Sequence, residues 1–82
     1  MNDDLDEVRA LIRRVVEESK IPQAQLARDA KLSYATLRAW ILGSRTPRPE
    51  SLVQLAEGLE SRADALRGLA NELRRAARNH GG

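Results

Sequence analysis

Apolar residues near the start of the chain recur every three or four positions, which is the spacing of one face of an α-helix. They are Leu5, Val8, Leu11, Ile12, Val15 and Val16. Asn2 or Asp3 can cap this helix, and more acids follow in its first turn. Because Pro22 disfavours helical geometry at Ile21, the first helix is predicted to end near residues 19–20.

Two shorter helical patterns follow, separated by a brief break. The first covers about residues 22 or 23 to 30, and the second follows Ser33, a good N-cap residue, over residues 34 to about 42. Gly43 suits the position just after a helix, and two prolines close behind it prevent continuation. The pattern therefore predicts two short helices joined by a tight turn, with the helix-turn-helix spacing at residues 22–43.

The last third of the chain is also helical in pattern. A fourth helix is predicted from about Glu50, and a fifth over about residues 62–78, with Ser61 starting a candidate capping box. No helix breaker separates the two, so one unbroken helix is the alternative. Since no segment alternates strictly between apolar and polar residues, we expect an all-α domain of five helices with an extended C-terminal helix.

Composition narrows the classes of function. The chain has no cysteine, and its single histidine, His80, stands near the end with nothing fixed around it. It has no apolar run of membrane-spanning length, no Gly-rich phosphate loop and no set of catalytic residues, and its first residues are acidic where a secretory signal is basic. We expect a cytoplasmic protein that is not an enzyme, with no metal, cofactor, membrane association or small-molecule ligand.

Positive charge is concentrated in one part of the chain. Residues 31–49 contain Lys31, Arg38, Arg45 and Arg48 and no acid, whereas acids and bases are mixed on both sides of this window. Such a surface favours the binding of a polyanion, because phosphate contacts with basic residues release counterions and an acid would repel the phosphates. The alternative is a solvated basic face without a partner.

A set of mostly apolar or small residues has a recognisable spacing through the middle of the chain. It comprises Gln23, Leu26, Ala27, Leu32, Ser33, Thr36, Leu37, Trp40, Gly43, Pro47, Leu52, Leu55, Ala56 and Leu59. In this spacing the sequence resembles the phage-repressor and Cro-like (XRE-type) helix-turn-helix family. Three positions depart from it: Lys31 replaces a usual Gly in the turn, Ile41 a frequent Glu, and Pro22 a usual Ser or Thr cap.

The resemblance implies a lambda-repressor-like domain that binds double-stranded DNA and regulates transcription, most simply as a repressor in a bacterium or phage, associated with the nucleoid. Its third helix would lie in the major groove. Helical geometry places Leu37, Trp40 and Ile41 on the core face, although Trp40 has the alternative of stacking on a base. By position, the resemblance implies that the groove-facing residues are Tyr34, Ala35, Arg38 and Ala39.

Other polar residues would hold the DNA backbone without reading bases. The resemblance and the local chemistry assign this role to Gln23, Ser33, Thr36, Arg45 and Arg48. The alternatives are that Arg38 pairs with an acid of the first helix and that Tyr34 is a plain surface aromatic. A protein-interaction module and an antitoxin-type autoregulator with a protein partner are the other functions that this fold allows.

A seven-residue repeat runs through the C-terminal part of the chain. Leucine recurs at positions 52, 59, 66 and 73, and alanine at 56, 63, 70 and 77. We therefore expect a DNA-binding core over residues 1–61, an amphipathic dimerisation helix over 62–79 and a flexible tail over 80–82. The predicted homodimer interface consists of Leu66, Leu69, Ala70, Leu73 and Ala77. The alternative is that this helix folds back on the first helix within a monomer.

Overall fold

The chain forms four α-helices in the computed structural model, which describes residues 3–80, with side chains from residue 6 onward. The helices are α1 (Asp3–Ser19), α2 (Gln23–Asp29), α3 (Tyr34–Leu42) and α4 (Pro49–His80). Residues 3–80 contain no strand, which confirms the all-α prediction. The candidate cap Asn2 and the last two residues of the predicted tail lie outside the described residues.

The prediction of five helices was wrong, because the expected fourth and fifth helices are one. Helix α4 is continuous for 32 residues, through the domain boundary expected between residues 61 and 62 and as far as His80. Ser61, the first residue of the candidate capping box, lies in its interior and is exposed. The segment from Glu60 to Arg62 has no residue that breaks a helix, and Arg62 is itself held by an ion pair to α2.

A small core fills the space between the helices. Its buried members are Ile12, Leu26, Ala27, Ala30, Leu37, Trp40 and Leu55. Trp40 is only 4% exposed, so the core assignment for this residue is confirmed and the base-stacking alternative is wrong. Burial of these side chains, each drawn from a helical face with period 3.6, is what fixes α2 and α3 against α1 and α4.

Helix α4 is anchored on the C-terminal end of α2 by three residues spaced four apart. The Gln54 side-chain amide donates to the carbonyl oxygens of Ala30 (2.8 Å) and Lys31 (3.1 Å), which lie just past the last residue of α2. At Gly58 the helices touch so closely that a Cβ would lie 2.7 Å from the Cα and N of Ala30. Arg62 donates to both carboxylate oxygens of Asp29, each at 2.9 Å.

The Asp29–Arg62 pair is tied into its surroundings. Asp29 is only 13% exposed and also accepts a hydrogen bond from the Gln25 amide at 2.8 Å. The hydrogen bonds from Arg62 are the main reason that the pKa of Asp29 lies below its usual value, and the same contact raises the pKa of Arg62. Both groups are therefore charged at neutral pH, and Asp29 would lose its charge only in acid.

Beyond Arg62 the long helix leaves the core. Leu66, Leu69 and Leu73 are 54%, 58% and 73% exposed, and the molecule is 63 Å long but only 22 Å and 19 Å across. The alternative in which this segment folds back onto α1 is therefore wrong for the described residues. None of the helices between residues 3 and 80 has the length and apolar character needed to cross a membrane.

Candidate nucleic-acid interface

The start of α3 is fixed by the N-cap that the sequence predicted. The Ser33 hydroxyl accepts a hydrogen bond from the Thr36 backbone N–H at 3.0 Å, and the two side-chain hydroxyls lie 2.7 Å apart. This pair shares one hydroxyl hydrogen and leaves the other free to donate. Ser33 and Thr36 therefore serve first to set the helix start, and they keep one donor for an anion outside.

Arg38 is held on the start of α2. Its guanidinium Nη1 donates to the Gln23 side-chain oxygen at 3.3 Å, and no acid of α1 pairs with it among residues 6–80. The alternative of a pair with a helix-one acid is thus wrong for the acids of α1 from Asp6 onward, whose side chains the structure describes. Gln23, Ala24, Tyr34 and Arg38 line one shallow, open depression. The N-terminal ends of α2 and α3 therefore share one surface, and most N–H groups of Arg38 remain available.

The remaining predicted base-contacting residues flank Arg38 on α3. Tyr34 is 51% exposed, Ala35 is exposed and Ala39 is half-buried. The two alanines give this part of the helix a low profile, so that a base edge could approach the backbone closely. Leu42, at the end of the same helix, is 56% exposed and extends the apolar part of this surface.

The loop after α3 carries the other two predicted phosphate contacts. The Ala39 carbonyl accepts from the backbone N–H groups of Ser44 (3.0 Å) and Arg45 (3.3 Å), which closes the helix tightly. Gly43 makes this possible with a left-handed φ of 83°. Arg45 and Arg48 are exposed, and neither forms an ion pair with any residue between 6 and 80.

Two arginines of α1 hold the other end of α3, and sequence reasoning missed them. Arg9 donates to the carbonyl of Leu42 at 3.0 Å and Arg13 to that of Ile41 at 2.9 Å. Cations at these unpaired carbonyls suit the negative end of a helix. They supply a polar link between α1 and α3 although Ile41 replaces the family's frequent Glu. The signal available in the sequence was the spacing of four residues between Arg9 and Arg13, beside the apolar face of α1.

The turn between α2 and α3 includes a backbone conformation that favours glycine. Lys31, which replaces a usual Gly, has a φ of 59°, a left-handed conformation that costs a side-chain-bearing residue energy. The Lys31 backbone N–H donates to the Arg28 carbonyl, and the Lys31 carbonyl accepts a hydrogen bond from the Gln54 side-chain amide. The side chain is exposed, so the strained position still adds a positive charge to the surface.

Two short helices joined by a tight turn, with basic residues on the outer surface, define a helix-turn-helix DNA-binding domain. A family model described as helix-turn-helix matches residues 12–66. The chain belongs to the phage-repressor and Cro-like (XRE-type) helix-turn-helix family, which consists of DNA-binding regulators and not of enzymes. No curated protein and no solved structure matches the chain.

Proposed function

We propose that this protein is a sequence-specific regulator of transcription, acting as a repressor, that reads the major groove of double-stranded DNA with α3. The observation that carries the proposal is the surface shared by Gln23, Tyr34 and Arg38, of which Tyr34 and Arg38 lie in the basic, acid-free stretch over residues 31–49. A recognition helix presents its N-terminal half to base edges in this way. A regulator of this kind would act on the nucleoid of a bacterial or phage-infected cytoplasm.

The residues proposed to contact bases differ in the chemistry that they offer. Arg38 has the long, forked donor that bonds guanine O6 and N7 bidentately, and its bond to Gln23 orients it before DNA arrives. Tyr34 supplies a hydroxyl at the exposed start of α3. Ala35 and Ala39 allow close approach and apolar contact with a thymine methyl group.

The proposed phosphate contacts surround this reading surface. The Gln23 side-chain oxygen accepts from Arg38, and the N–H₂ group of the same amide can still donate to a phosphate. The hydroxyls of Ser33 and Thr36 retain one donor between them, and Arg45 and Arg48 bring full charges from the loop after α3. These contacts would fix the register of α3 on the duplex without selecting a sequence.

Two arginine substitutions should separate reading from holding. Arg38→Ala should weaken binding to the preferred duplex by about 1–3 kcal/mol and relax the preference at one base pair. Arg48→Ala should instead weaken all duplexes alike and flatten the salt dependence of binding by about one unit of slope. Competition binding with the duplex selected from a random library, against random duplex, measures both. Equal losses on the two DNAs for Arg38→Ala would refute the proposed register of α3.

We propose further that the protein is a homodimer joined through the projecting part of α4. Leu66, Leu69, Ala70, Leu73 and Ala77 form its apolar stripe, and the three leucines remain exposed after the core is complete. A second copy fits this stripe because the leucine and alanine repeats have the spacing of a helix-pairing seam, and the alanines permit close approach. A twofold dimer would also present two reading surfaces to a palindromic site.

The dimer proposal predicts a specific loss on charging the stripe. Leu69→Glu with Leu73→Glu should give a folded monomer, because four carboxylates would have to be buried together in the pair. Its affinity for the two-half-site duplex should fall at least tenfold, as expected when one half-site contact is lost. Asn71→Glu with Asn79→Glu adds the same charge on the other faces of α4 and should remain dimeric.

Sedimentation of the wild type decides between this proposal and its rival. A protein that is monomeric at high micromolar concentration would refute the homodimer. If such a monomer still binds DNA, the exposed leucines would favour an antitoxin-type autoregulator, in which a different protein covers the same stripe. Failure to bind any duplex would favour the protein-interaction module.

A further inference from the structure

We propose that the Asp29–Arg62 ion pair is a positioning device that sets the spacing between the two DNA half-sites the dimer recognises. It does so by fixing the direction in which the projecting part of α4 leaves the helix-turn-helix unit. This inference rests on the proposed homodimer. It assigns a role in DNA selection to two residues that lie outside the surface that would touch DNA.

The contacts that connect α4 to α2 are unevenly distributed along the long helix. Gln54, Gly58 and Arg62 follow one stripe and all meet residues 29–31. Arg62 is the outermost of the three, and the leucines beyond it are exposed. The Asp29–Arg62 pair is therefore the last point at which the direction of the projecting part can be controlled.

The pair has the geometry of an orienting contact. Both carboxylate oxygens of Asp29 accept from Arg62 at 2.9 Å, and a forked contact fixes angle as well as distance. Gln25 holds the same carboxylate from within α2. By contrast, Arg67, about one turn further along α4, pairs only with Asp64 of its own helix and is exposed. That second pair cannot orient α4 relative to α2.

Helix α2 connects this contact to the reading surface. Asp29 is its last residue and Gln23, which bonds Arg38, is its first. A seven-residue helix is short and stiff, and α4 has no break after Arg62. The orientation of the reading surface at Arg38 is thus coupled, through α2 and the Asp29–Arg62 pair, to the orientation of the apolar stripe at Leu73.

The projecting part of α4 is long enough for a small tilt to change the spacing between the two DNA half-sites. Leu73 lies 11 residues beyond Arg62, a distance of about 16 Å at 1.5 Å per residue, so a tilt of about 10° moves it by about 3 Å. The rise per base pair is about 3.4 Å, so a small loss of angular control equals about one base pair of spacing. Because the twofold axis repeats the displacement in the partner, the effect on the half-sites is larger still.

The experiment measures spacing preference separately from half-site affinity. The probes are the half-site enriched by the wild type from a random library, as a single copy and as inverted repeats whose spacers increase by one base pair over a full helical turn. Arg62→Ala is compared with Arg67→Ala, which removes the same side chain from the same helix without touching α2. Circular dichroism and sedimentation establish that each variant is folded and dimeric.

We expect the wild type and Arg67→Ala to prefer one spacing sharply. For Arg62→Ala the ratio of affinities between the best spacing and its neighbours should fall about fivefold, while single half-site affinity stays within about twofold. Exchanging the charges, Asp29→Arg with Arg62→Asp, should restore part of the preference. If Arg62→Ala does not fold, the milder Arg62→Lys, which keeps the charge but not the fork, should show the same broadening to a smaller degree.

An unchanged spacing profile in a folded, dimeric Arg62→Ala protein would overturn the inference and leave the proposed function intact. Equal broadening in Arg67→Ala would overturn it too, because that variant leaves the contact with α2 in place. A wild type that binds single half-sites but sediments as a monomer would refute the homodimer and this inference together. A wild type that binds no duplex would refute the proposed function itself.

Discussion

Replacing Gly58 with alanine is expected to lower the free energy of unfolding by about 1–3 kcal/mol, although alanine favours a helix by about 1 kcal/mol over glycine. The added Cβ would lie 2.7 Å from both Cα and N of Ala30, and backbone atoms cannot move aside as a flexible side chain can. Helix α4 would have to shift from α2 and loosen the contacts of Gln54 and Arg62. In a domain of this size the midpoint of thermal unfolding should fall by roughly 5–20 °C.

Gly68 provides the matched control on the same helix. Apart from Gly68, its two chain neighbours and the adjacent backbone of α4, no atom of the described residues lies within 4 Å of where its Cβ would be, so Gly68→Ala should stabilise α4 by about 0.5–1 kcal/mol. Thermal unfolding followed by circular dichroism compares the two variants directly. A Gly58→Ala protein as stable as the wild type would mean that α2 and α4 are not packed as closely as described, and a destabilised Gly68→Ala would mean that α4 beyond Arg62 is packed on something.

Local signals in the sequence were sufficient to predict the short helices. The proline at position 22, the cap at Ser33 and the left-handed residue Gly43 each act through the backbone of their immediate neighbours, so their effect can be predicted without tertiary structure. The apolar period of 3.6 likewise predicted that Leu37 and Trp40 face the core. These are the features that make residues 22–43 a helix-turn-helix.

Tertiary contacts explain what the sequence could not predict. Glu60, Ser61 and Arg62 neither stop a helix nor require it to continue, and it is the contact of Arg62 with Asp29 that holds α4 across this point. The close approach at Gly58 could not be predicted either, because it depends on the backbone of Ala30 at the end of α2. In the same way, Arg9 could not be assigned to the end of α3 before α1 and α3 were packed together.

The sequence predicted where the candidate interface lies better than it predicted the side-chain contacts within it. Helical geometry predicted that Arg38 lies on the side of α3 opposite the core face, and in the structure its guanidinium lies beside Gln23. The hydrogen bond between these two side chains joins residues 15 apart in sequence and required the crossing of α2 and α3 to be known.

The largest expected effect concerns salt. If Arg38, Arg45 and Arg48, with Lys31 nearby, form the proposed surface, one protomer would neutralise about three or four phosphates and release their counterions. The logarithm of the association constant should then fall against the logarithm of salt concentration with a slope near −3, and about −6 for a dimer on two half-sites. Between about 50 and 300 mM salt, the monomer slope alone corresponds to a loss of roughly 200-fold.

The most direct test of DNA binding through this surface is therefore the affinity of the wild type for a duplex as salt is raised, measured beside Arg48→Ala. The proposal predicts a steep linear decrease with the slopes given above, and a slope shallower by about one unit per protomer for Arg48→Ala. A slope indistinguishable from zero for the wild type would contradict it, because a surface that contacts phosphates through arginines cannot bind without releasing counterions.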